Sequence, residues 1–361
     1  MNKKTKYTIN CAIAGALILA IINAIRQLAK MDESPEQKFD WSQFMYEGGK
    51  GALIGGGIGL LAGAVVDEVY SNQETINTDE YLGVFANSIA VNRHTRNFKT
   101  GEMKCEEIIS FLEKEFKYEL STVPFQWGSH VKGTAIEGKS DFDIFARFHR
   151  DSFSLENMYH TVFEVLNNKF KNNSHVELIK QKKSIGLIFI FREEKVKIDV
   201  VPMRDIDNNP NNTASNLYVY KQGLFANSSF TKTNMPLQAS VRLTQTQRRI
   251  IMILKKWKED NQLPMSSYMI QLLVIKAYEK NKANIPRKLT DKLLMVLQFI
   301  ADNISSTRLI SIENSNNDVN RISDYDKNAI KNEAIKVIEE YEYHPNTIQS
   351  FFVFEGQNIS Y

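Results

Sequence analysis

The spacing of apolar residues differs between regions of the chain. Two apolar runs lie near the N-terminus. Residues 7–25 carry no charge, and a second apolar run covers residues 51–66. A helix needs about 20 mostly apolar residues to cross a bilayer, so the first run is long enough and the second is short. We predict an apolar helical hairpin over residues 1–70 that spans a membrane.

Glycines recur at every fourth position of the second run, and these are Gly51, Gly55, Gly59 and Gly63. On a helix this spacing puts four small residues on nearly one face, where another helix can approach closely. So many glycines make a poor helix in water, which favours packing in lipid or in an oligomer. A homo-oligomer through this face is therefore expected. A buried soluble hairpin and a cleaved signal peptide are the alternatives.

The charges around the hairpin bear on its orientation. Lys3, Lys4 and Lys6 precede the first run and favour a cytoplasmic N-terminus. Two crossings would return the rest of the chain to the cytoplasm. We therefore expect a membrane protein whose larger part is cytoplasmic.

Beyond the hairpin, the apolar positions predict an α+β fold. Residues 71–104 are expected to form a polar connector with some helix, residues 105–240 a mixed sheet domain with flanking helices, and residues 241–361 a helical domain. Strands are predicted where short apolar or alternating runs occur, at residues 123–127, 141–148, 176–180, 185–191 and 196–201. Helices are predicted where apolar residues have helical spacing, at residues 106–120, 155–169, 244–260 and 266–280.

Composition narrows the classes of function. The formal net charge of +3 gives no strong argument for a nucleic-acid partner. The two cysteines, Cys11 and Cys105, are far apart and exclude a disulfide framework or a cysteine zinc site. The six histidines show no metal-ligand spacing.

Three aspartates carry the candidate chemistry. Asp141 and Asp143 are two positions apart on a predicted strand, so their carboxylates project from the same face. Two adjacent carboxylates repel each other, and a divalent cation between them relieves that repulsion. Asp199 places a third carboxylate on an apolar strand, where a shared metal would explain it.

A glycine and a serine precede this acidic strand. Gly128 and Ser129 follow a short predicted strand and open a turn or helix, where backbone amides and a hydroxyl can hold a phosphate. Each feature alone is common in proteins. The order of strand, Gly-Ser, Asp-X-Asp strand and hairpin with a third aspartate is much more specific.

With these motifs the chain resembles the DNA polymerase β-type nucleotidyltransferase superfamily. Within it, the chain is most similar to the cyclic GMP-AMP synthase and oligoadenylate synthetase-like enzymes, which include the bacterial CD-NTases. The resemblance covers residues 106–324. Two later segments, around Leu254-Lys255-Lys256-Trp257 and Ser266-Ser267-Tyr268, also look like family segments.

The resemblance implies roles for residues on the helical side. Lys255, or else Lys256, would contact the triphosphate, Ser267 would touch phosphate, and the ring of Tyr268 would stack on the base. Asp141, Asp143 and Asp199 would be catalytic and would bind two Mg²⁺ ions, with Mn²⁺ as an alternative. Gly128 and Ser129 would complete the nucleotide site.

The resemblance also implies an activity. The expected enzyme joins nucleoside triphosphates into a cyclic or linear oligonucleotide second messenger, in bacterial antiphage signalling, and needs no nucleic acid. One alternative adds nucleotides to RNA 3′ ends or to a protein or small-molecule acceptor. Another is a non-catalytic, membrane-anchored nucleotide-binding protein.

Overall fold

The structure is a computed structural model that describes residues 76–192, 194–209, 211–221 and 229–354. The hairpin predicted over residues 1–70 lies outside them. The helices are α1 (Thr78–Ser88), α2 (Arg96–Glu115), α3 (Ser129–Lys132), α4 (Leu155–Phe170), α5 (Met235–Ser240), α6 (Gln245–Asp260), α7 (Ser267–Lys280), α8 (Leu289–Asn303), α9 (Asp324–Tyr343) and α10 (Ile348–Phe351). The strands are β1 (Phe125–Trp127), β2 (Phe142–Phe148), β3 (Val176–Lys180), β4 (Ile185–Phe191), β5 (Glu194–Asp205), β6 (Ser215–Val219), β7 (Ser229–Thr233), β8 (Ile310–Ser311) and β9 (Asn314–Asp318).

The first seven strands form one mixed sheet around β5. Strands β2 and β5 are parallel, and every other pairing in this sheet is antiparallel. The order β1-β2-β5-β4-β3 is extended by β6, which pairs with the end of β5, and by β7 beyond it. A parallel pair needs a long crossover connection, and α4 with the β3–β4 hairpin supplies it.

Side chains alternate between the two faces of this sheet. In β2, Phe142, Ile144, Ala146 and Phe148 are buried, while the residues between them are partly exposed. The buried set packs with α2 and α4 in one apolar core, which also contains alternate residues of β4 and β5. Since successive side chains of a strand point to opposite faces, Asp143 lies on the face away from these helices.

A second apolar core belongs to the helical half of the chain. It is formed by α1, α6, α7, α8 and α9, with the fully buried ring of Trp257 among its largest members. Helix α1 contributes Leu82 and Phe85 to it. Part of the stretch expected to be a connector, residues 71–104, is thus a packed helix, because its apolar positions complete the core of a distant domain.

Most predicted elements are present with shifted ends, and the α+β fold class is confirmed for the described residues. Helix α2 begins at Arg96 rather than Glu106, because Thr95 caps it by accepting from the amide of Phe98. Strands β6 and β7 were not predicted. Each has only five residues; β6 pairs with the end of β5, and β7 pairs with β6.

Among the described residues, no helix is both long and apolar enough to cross a bilayer. The chain divides between Thr75 and Ile76, and the predicted hairpin belongs to the first of the two units.

The close packing of α2 on β2 leads to a stability prediction. A Cβ added at Gly101 would lie 2.3 Å from the ring of the buried Phe142, whereas one added at Gly83 would meet nothing within 4 Å. Both glycines are in helices. We expect Gly101→Ala to lower Tm, because overpacking costs about 1–3 kcal/mol. Gly83→Ala should raise it, because alanine is about 1 kcal/mol better in a helix.

Thermal unfolding of the full chain measures both effects under one condition. The two substitutions are chemically identical, so helix propensity alone predicts the same sign for both. A rise in Tm with Gly101→Ala would show that α2 does not pack closely on β2.

Candidate functional site

The pairing of β2 with β5 brings two of the predicted aspartates side by side. Asp143 is opposite Asp199 in this parallel pair. Neighbouring strands lie about 4.8 Å apart, and side chains at paired positions point to the same face. Asp141 directly precedes β2, on the same face by alternation. The parallel register therefore brings Asp199, which is distant in sequence, next to the pair Asp141 and Asp143.

The environment of these carboxylates disfavours their charged forms. Burial, followed by repulsion from Asp199 and Asp141, raises the pKa of Asp143 to about 7. Burial also raises the pKa of Asp141, and burial with repulsion from Asp141 raises that of Asp199. A divalent cation would reverse this effect by favouring the ionised carboxylates.

Gly128 lies directly against Asp143. Its φ is +91°, and a Cβ built there would be 1.8 Å from Oδ2 of Asp143. Both the backbone conformation and the lack of space therefore require glycine. The following turn is closed by bonds from the amide of Lys132 to the Gly128 carbonyl and from the amide of Thr134 to the Ser129 carbonyl. Gly128 thus lets the turn carrying Ser129 lie over the acidic strand.

A cleft of about 290 Å³ opens beside the aspartates. Its walls come from the α3 turn, the start of β2, α6 and the start of α7. Polar and charged residues dominate its lining, which is Ser129, Lys132, Thr134, Ile136, Lys139, Ser140, Asp141, Asp143, Ile251, Lys255, Glu259, Ser267, Tyr268 and Gln271. The cleft combines carboxylates with three lysines and three serines, as binding of a metal-bound polyphosphate requires.

Of the two candidate lysines on α6, Lys255 is at the cleft. Its side chain is buried, and its ammonium group donates to the carbonyl of Thr134 at 2.7 Å. Burial, followed by repulsion from Lys132, lowers the pKa of Lys255 to about 8. Lys256 instead pairs with Asp260 at 2.6 Å and is not in the cleft lining.

Lys132 is a cleft residue that received no role from the sequence. Its ammonium group lies 5.7 Å from the centre of the Trp127 ring and 3.4 Å from the side-chain oxygens of Gln238 and Gln271. Burial lowers its pKa, which the charges of Glu313 and Asp143 partly oppose. Its position three residues after Ser129 could have indicated a role in the site, but only the fold shows that Lys132 faces the cleft.

The start of α7 contributes the predicted serine and tyrosine. Ser266 is the N-cap and accepts from the amide of Met269, which leaves Ser267 exposed in the cleft. The hydroxyl of Tyr268 donates to Glu313 at 2.5 Å and accepts from the amide of Ile312 at 3.1 Å. These bonds hold the Tyr268 ring at the cleft wall.

Asp199 is not part of the cleft lining. Its Oδ1 accepts from Nε2 of Gln181 at 3.1 Å, and its Oδ2 lies 3.2 Å from Oγ of Ser184. Both residues belong to the β3–β4 turn. Neither residue could be singled out from the sequence, since glutamine and serine are common in hairpin turns.

The residues present fit a divalent cation by their chemistry. Hard carboxylate oxygens are the ligands that Mg²⁺ prefers. Asp143 is close enough to Asp199 and Asp141 for their repulsion to raise its pKa, and a cation would relieve that repulsion. Among the described residues, no three His, Cys, Asp or Glu side chains form a ready-made metal cage. Mg²⁺ commonly binds through one or two carboxylates plus substrate phosphates, so an open site agrees with this donor set.

The predicted site residues therefore meet in one region. Asp141, Asp143, Ser129, Lys255, Ser267 and Tyr268 line the cleft, Gly128 touches Asp143, and Asp199 is beside it on the sheet. The sharing of a metal by Asp199 and the phosphate and base contacts stay predictions.

His130, near the site in sequence, has a structural place. It is buried and stacks on Phe142 with ring centres 4.2 Å apart. Its Nε2 lies 3.1 Å from the carbonyl of Ser140. The imidazole therefore supports the turn.

Sequence comparisons leave this chain without a match. No protein-family model matches it. No curated protein matches it either.

Solved structures, in contrast, match most of the chain. One is CdnC of Escherichia coli MS115-1 with ATP, with a TM-score of 0.59 and 17% identity over 76% of this chain and 96% of that chain. Another is the CD-NTase CdnG of Bradyrhizobium diazoefficiens in complex with GTP, with a TM-score of 0.60 and 11% identity over 76% and 94%. The GLD-2/RNP-8 complex matches with a TM-score of 0.52 and 13% identity over 76% and 97%.

At these identities the likeness establishes the fold. The chain shares the fold of CdnC and of the CD-NTase CdnG, as the resemblance predicted.

The raised pKa of Asp143 predicts a pH-dependent stability. In the unfolded chain this carboxyl has its ordinary pKa of 3.8, while in the fold it is about 7. The folded protein therefore retains the proton longer, and stability is lost as pH rises through this window. Without metal, Asp143→Asn should raise Tm by a few degrees at pH 8, about 5 °C, and by much less at pH 5.

The exposed Asp302 on α8 offers a matched control. Asp302→Asn should change Tm by similar amounts at the two pH values. An Asp143→Asn effect that is equally large at pH 5 and pH 8 would contradict a raised pKa in the fold.

Proposed function

We propose that this chain, which has a nucleotidyltransferase fold, transfers a nucleotide from a nucleoside triphosphate to a hydroxyl group and releases pyrophosphate. One observation carries the proposal: Asp141 and Asp143 share a cleft with Lys132 and Lys255. Carboxylates alone would suit a cation and lysines alone an anion. Their combination in one cleft suits a metal-bound triphosphate.

The chain's own residues would bind and orient the triphosphate. Ser129 would donate its hydroxyl to a phosphate oxygen, and Lys132 and Lys255 would offset charge on the departing pyrophosphate. Ser267 faces the same cleft and would bind a further phosphate oxygen, while the ring of Tyr268 offers a stacking surface for the base. Stacking of this kind contributes about 1–3 kcal/mol.

The proposed transfer has a simple balance. The acceptor oxygen forms a bond to the α-phosphorus, and the bond from that phosphorus to the bridging oxygen breaks with its electron pair leaving on pyrophosphate. The proton of the acceptor hydroxyl passes to Asp199, directly or through a water. Mg²⁺ ions held by Asp141, Asp143 and Asp199 would supply activation of the hydroxyl and charge neutralisation of the pyrophosphate. Mn²⁺ would serve as an alternative ion.

For the acceptor we propose a second nucleotide, so that the product is a cyclic or linear oligonucleotide messenger. The likeness to CdnC with ATP and to CdnG with GTP supports this choice. The near-neutral charge, +3 in total, also supports an acceptor smaller than structured RNA. The expected setting is antiphage signalling in a bacterium, which rests on the resemblance alone.

A membrane location is proposed from the sequence of residues 1–70. Their two apolar runs and the lysines before them favour a hairpin that keeps the cleft in the cytoplasm. The glycine face would pair protomers. Such a hairpin would hold the enzyme at the membrane, so that its product would be released there.

The activity is tested with the purified full chain, MgCl₂ and radiolabelled ATP, GTP, CTP and UTP, with and without added RNA. We expect an oligonucleotide product without RNA. Asp141→Asn and Asp143→Asn should each lower product formation at least about 100-fold, because the substrate's metal would lose a ligand. Asp302→Asn should retain the wild-type rate.

Each alternative has its own outcome in this assay. Product that appears only when RNA is present would support the RNA-terminal enzyme and overturn the messenger proposal. Triphosphate binding with no product under any condition would identify a non-catalytic binding protein. Full activity in both acidic-residue variants would remove the aspartates from the mechanism.

The glycine face gives a separate test in membranes. Gly55→Leu combined with Gly59→Leu should reduce chemical cross-linking between protomers, since the leucines would prevent close approach of the helices. Ala64→Leu, in the same run, is the matched control and should leave cross-linking in place. Recovery of the wild-type chain in the soluble fraction after lysis would contradict the membrane proposal itself.

A further inference from the structure

Asp199 is held by side chains that the proposed reaction does not use. Gln181 donates to its Oδ1 and Ser184 approaches its Oδ2, at 3.1 Å and 3.2 Å. Each carboxylate oxygen has two lone pairs. The bond from Gln181 engages one lone pair of Oδ1, and the remaining lone pairs are available to an ion or a proton.

Ser184 also determines the orientation of the Gln181 amide. Its Oγ lies 2.6 Å from Oε1 of Gln181, closer than it lies to Asp199. The serine hydroxyl has one proton to donate, and the amide oxygen is its nearer acceptor. With Oε1 directed to Ser184, the NH₂ group of Gln181 is directed to Asp199. The two side chains thus act as one unit.

Space for this unit comes from a glycine in the neighbouring strand. Gly186 of β4 is paired with Asp199 of β5. A Cβ built on Gly186 would lie 2.5 Å from Nε2 of Gln181 and 3.5 Å from Oδ1 of Asp199. Any larger residue at this position would displace the Gln181 amide from the carboxylate.

A buried tyrosine holds the β3–β4 turn in place. The hydroxyl of Tyr159, which is 1% exposed, lies 2.8 Å from the carbonyl of Gln181 and 2.9 Å from that of Ser184. The turn is also closed by its own backbone bond from the Gln181 amide to the Ser184 carbonyl. These backbone contacts hold the turn, so the side-chain bonds to Asp199 are not needed to form it.

We propose that Gln181 is a positioning residue for Asp199, and that Ser184 orients Gln181. This inference rests on the proposed function, in which Asp199 binds a divalent ion and accepts the acceptor's proton. Gln181 fixes the plane of the carboxylate beside Asp143, so the ion and the hydroxyl meet lone pairs that are already oriented. Groups that orient a metal ligand typically change metal affinity or activity by about 10–100-fold when removed.

The test uses Gln181→Met in the full chain, since methionine has similar length and cannot donate a hydrogen bond. Binding of Mn²⁺ is measured by the electron paramagnetic resonance signal of the free ion. Product formation is measured across a range of MgCl₂ concentrations. We expect the affinity for Mn²⁺ to fall by about 10-fold or more, and the Mg²⁺ concentration for half-maximal rate to rise similarly. Tm without metal should stay near the wild-type value.

Two further variants make the test specific. Ser184→Ala removes the group that orients Gln181 while leaving Gln181 in place, and should weaken Mn²⁺ binding in the same direction. Lys182→Ala changes an exposed residue of the same turn and should match the wild type in both measurements. If Gln181→Met proves unstable, Ser184→Ala decides the question.

Wild-type ion affinity in both Gln181→Met and Ser184→Ala, with a wild-type chain that binds Mn²⁺ and forms product, would overturn this inference and leave the proposed function standing. A wild-type chain that neither binds Mn²⁺ nor forms product would overturn both.

Discussion

Repulsion among three partly buried carboxylates is the constraint around which this structure is arranged. The parallel pairing of β2 with β5 sets Asp143 beside Asp199, with Asp141 next to them, and burial raises the pKa of all three. Such a cluster costs folding free energy, and it is tolerated because two apolar cores stabilise the surrounding elements. The cost is consistent with a site adapted to a divalent cation.

Positively charged and neutral side chains surround different members of this aspartate cluster. Lys132 and Lys255 face Asp143 from the cleft, and their own pKa values are lowered by burial. Gln181 and Ser184 contact Asp199 from the other side with neutral groups. The lysines therefore lie where polyphosphate would add negative charge, while the neutral turn orients a carboxylate without compensating its charge.

Sequence alone determined the fold class and the central motif. Alternation of apolar residues predicted β2, β3 and β4, and the order of Gly-Ser, Asp-X-Asp and a third aspartate indicated a nucleotidyltransferase. These features are local, because strand periodicity and the spacing of Asp141 and Asp143 are defined within a few consecutive residues. The sequence also singled out Gly128 as part of a phosphate-binding turn, and the structure adds that its closeness to Asp143 leaves no space for a side chain.

Tertiary structure decided what depends on contacts between distant segments. It selected Lys255 over Lys256, because only the packing of α6 shows which lysine faces the cleft. It added Lys132 and revealed Gln181 as a partner of Asp199, a contact created by strand pairing and by the missing side chain of Gly186. The sequence contains the residue types and their periodicity. Hydrogen bonds between distant segments form only when the sheet register and the core packing bring those segments together.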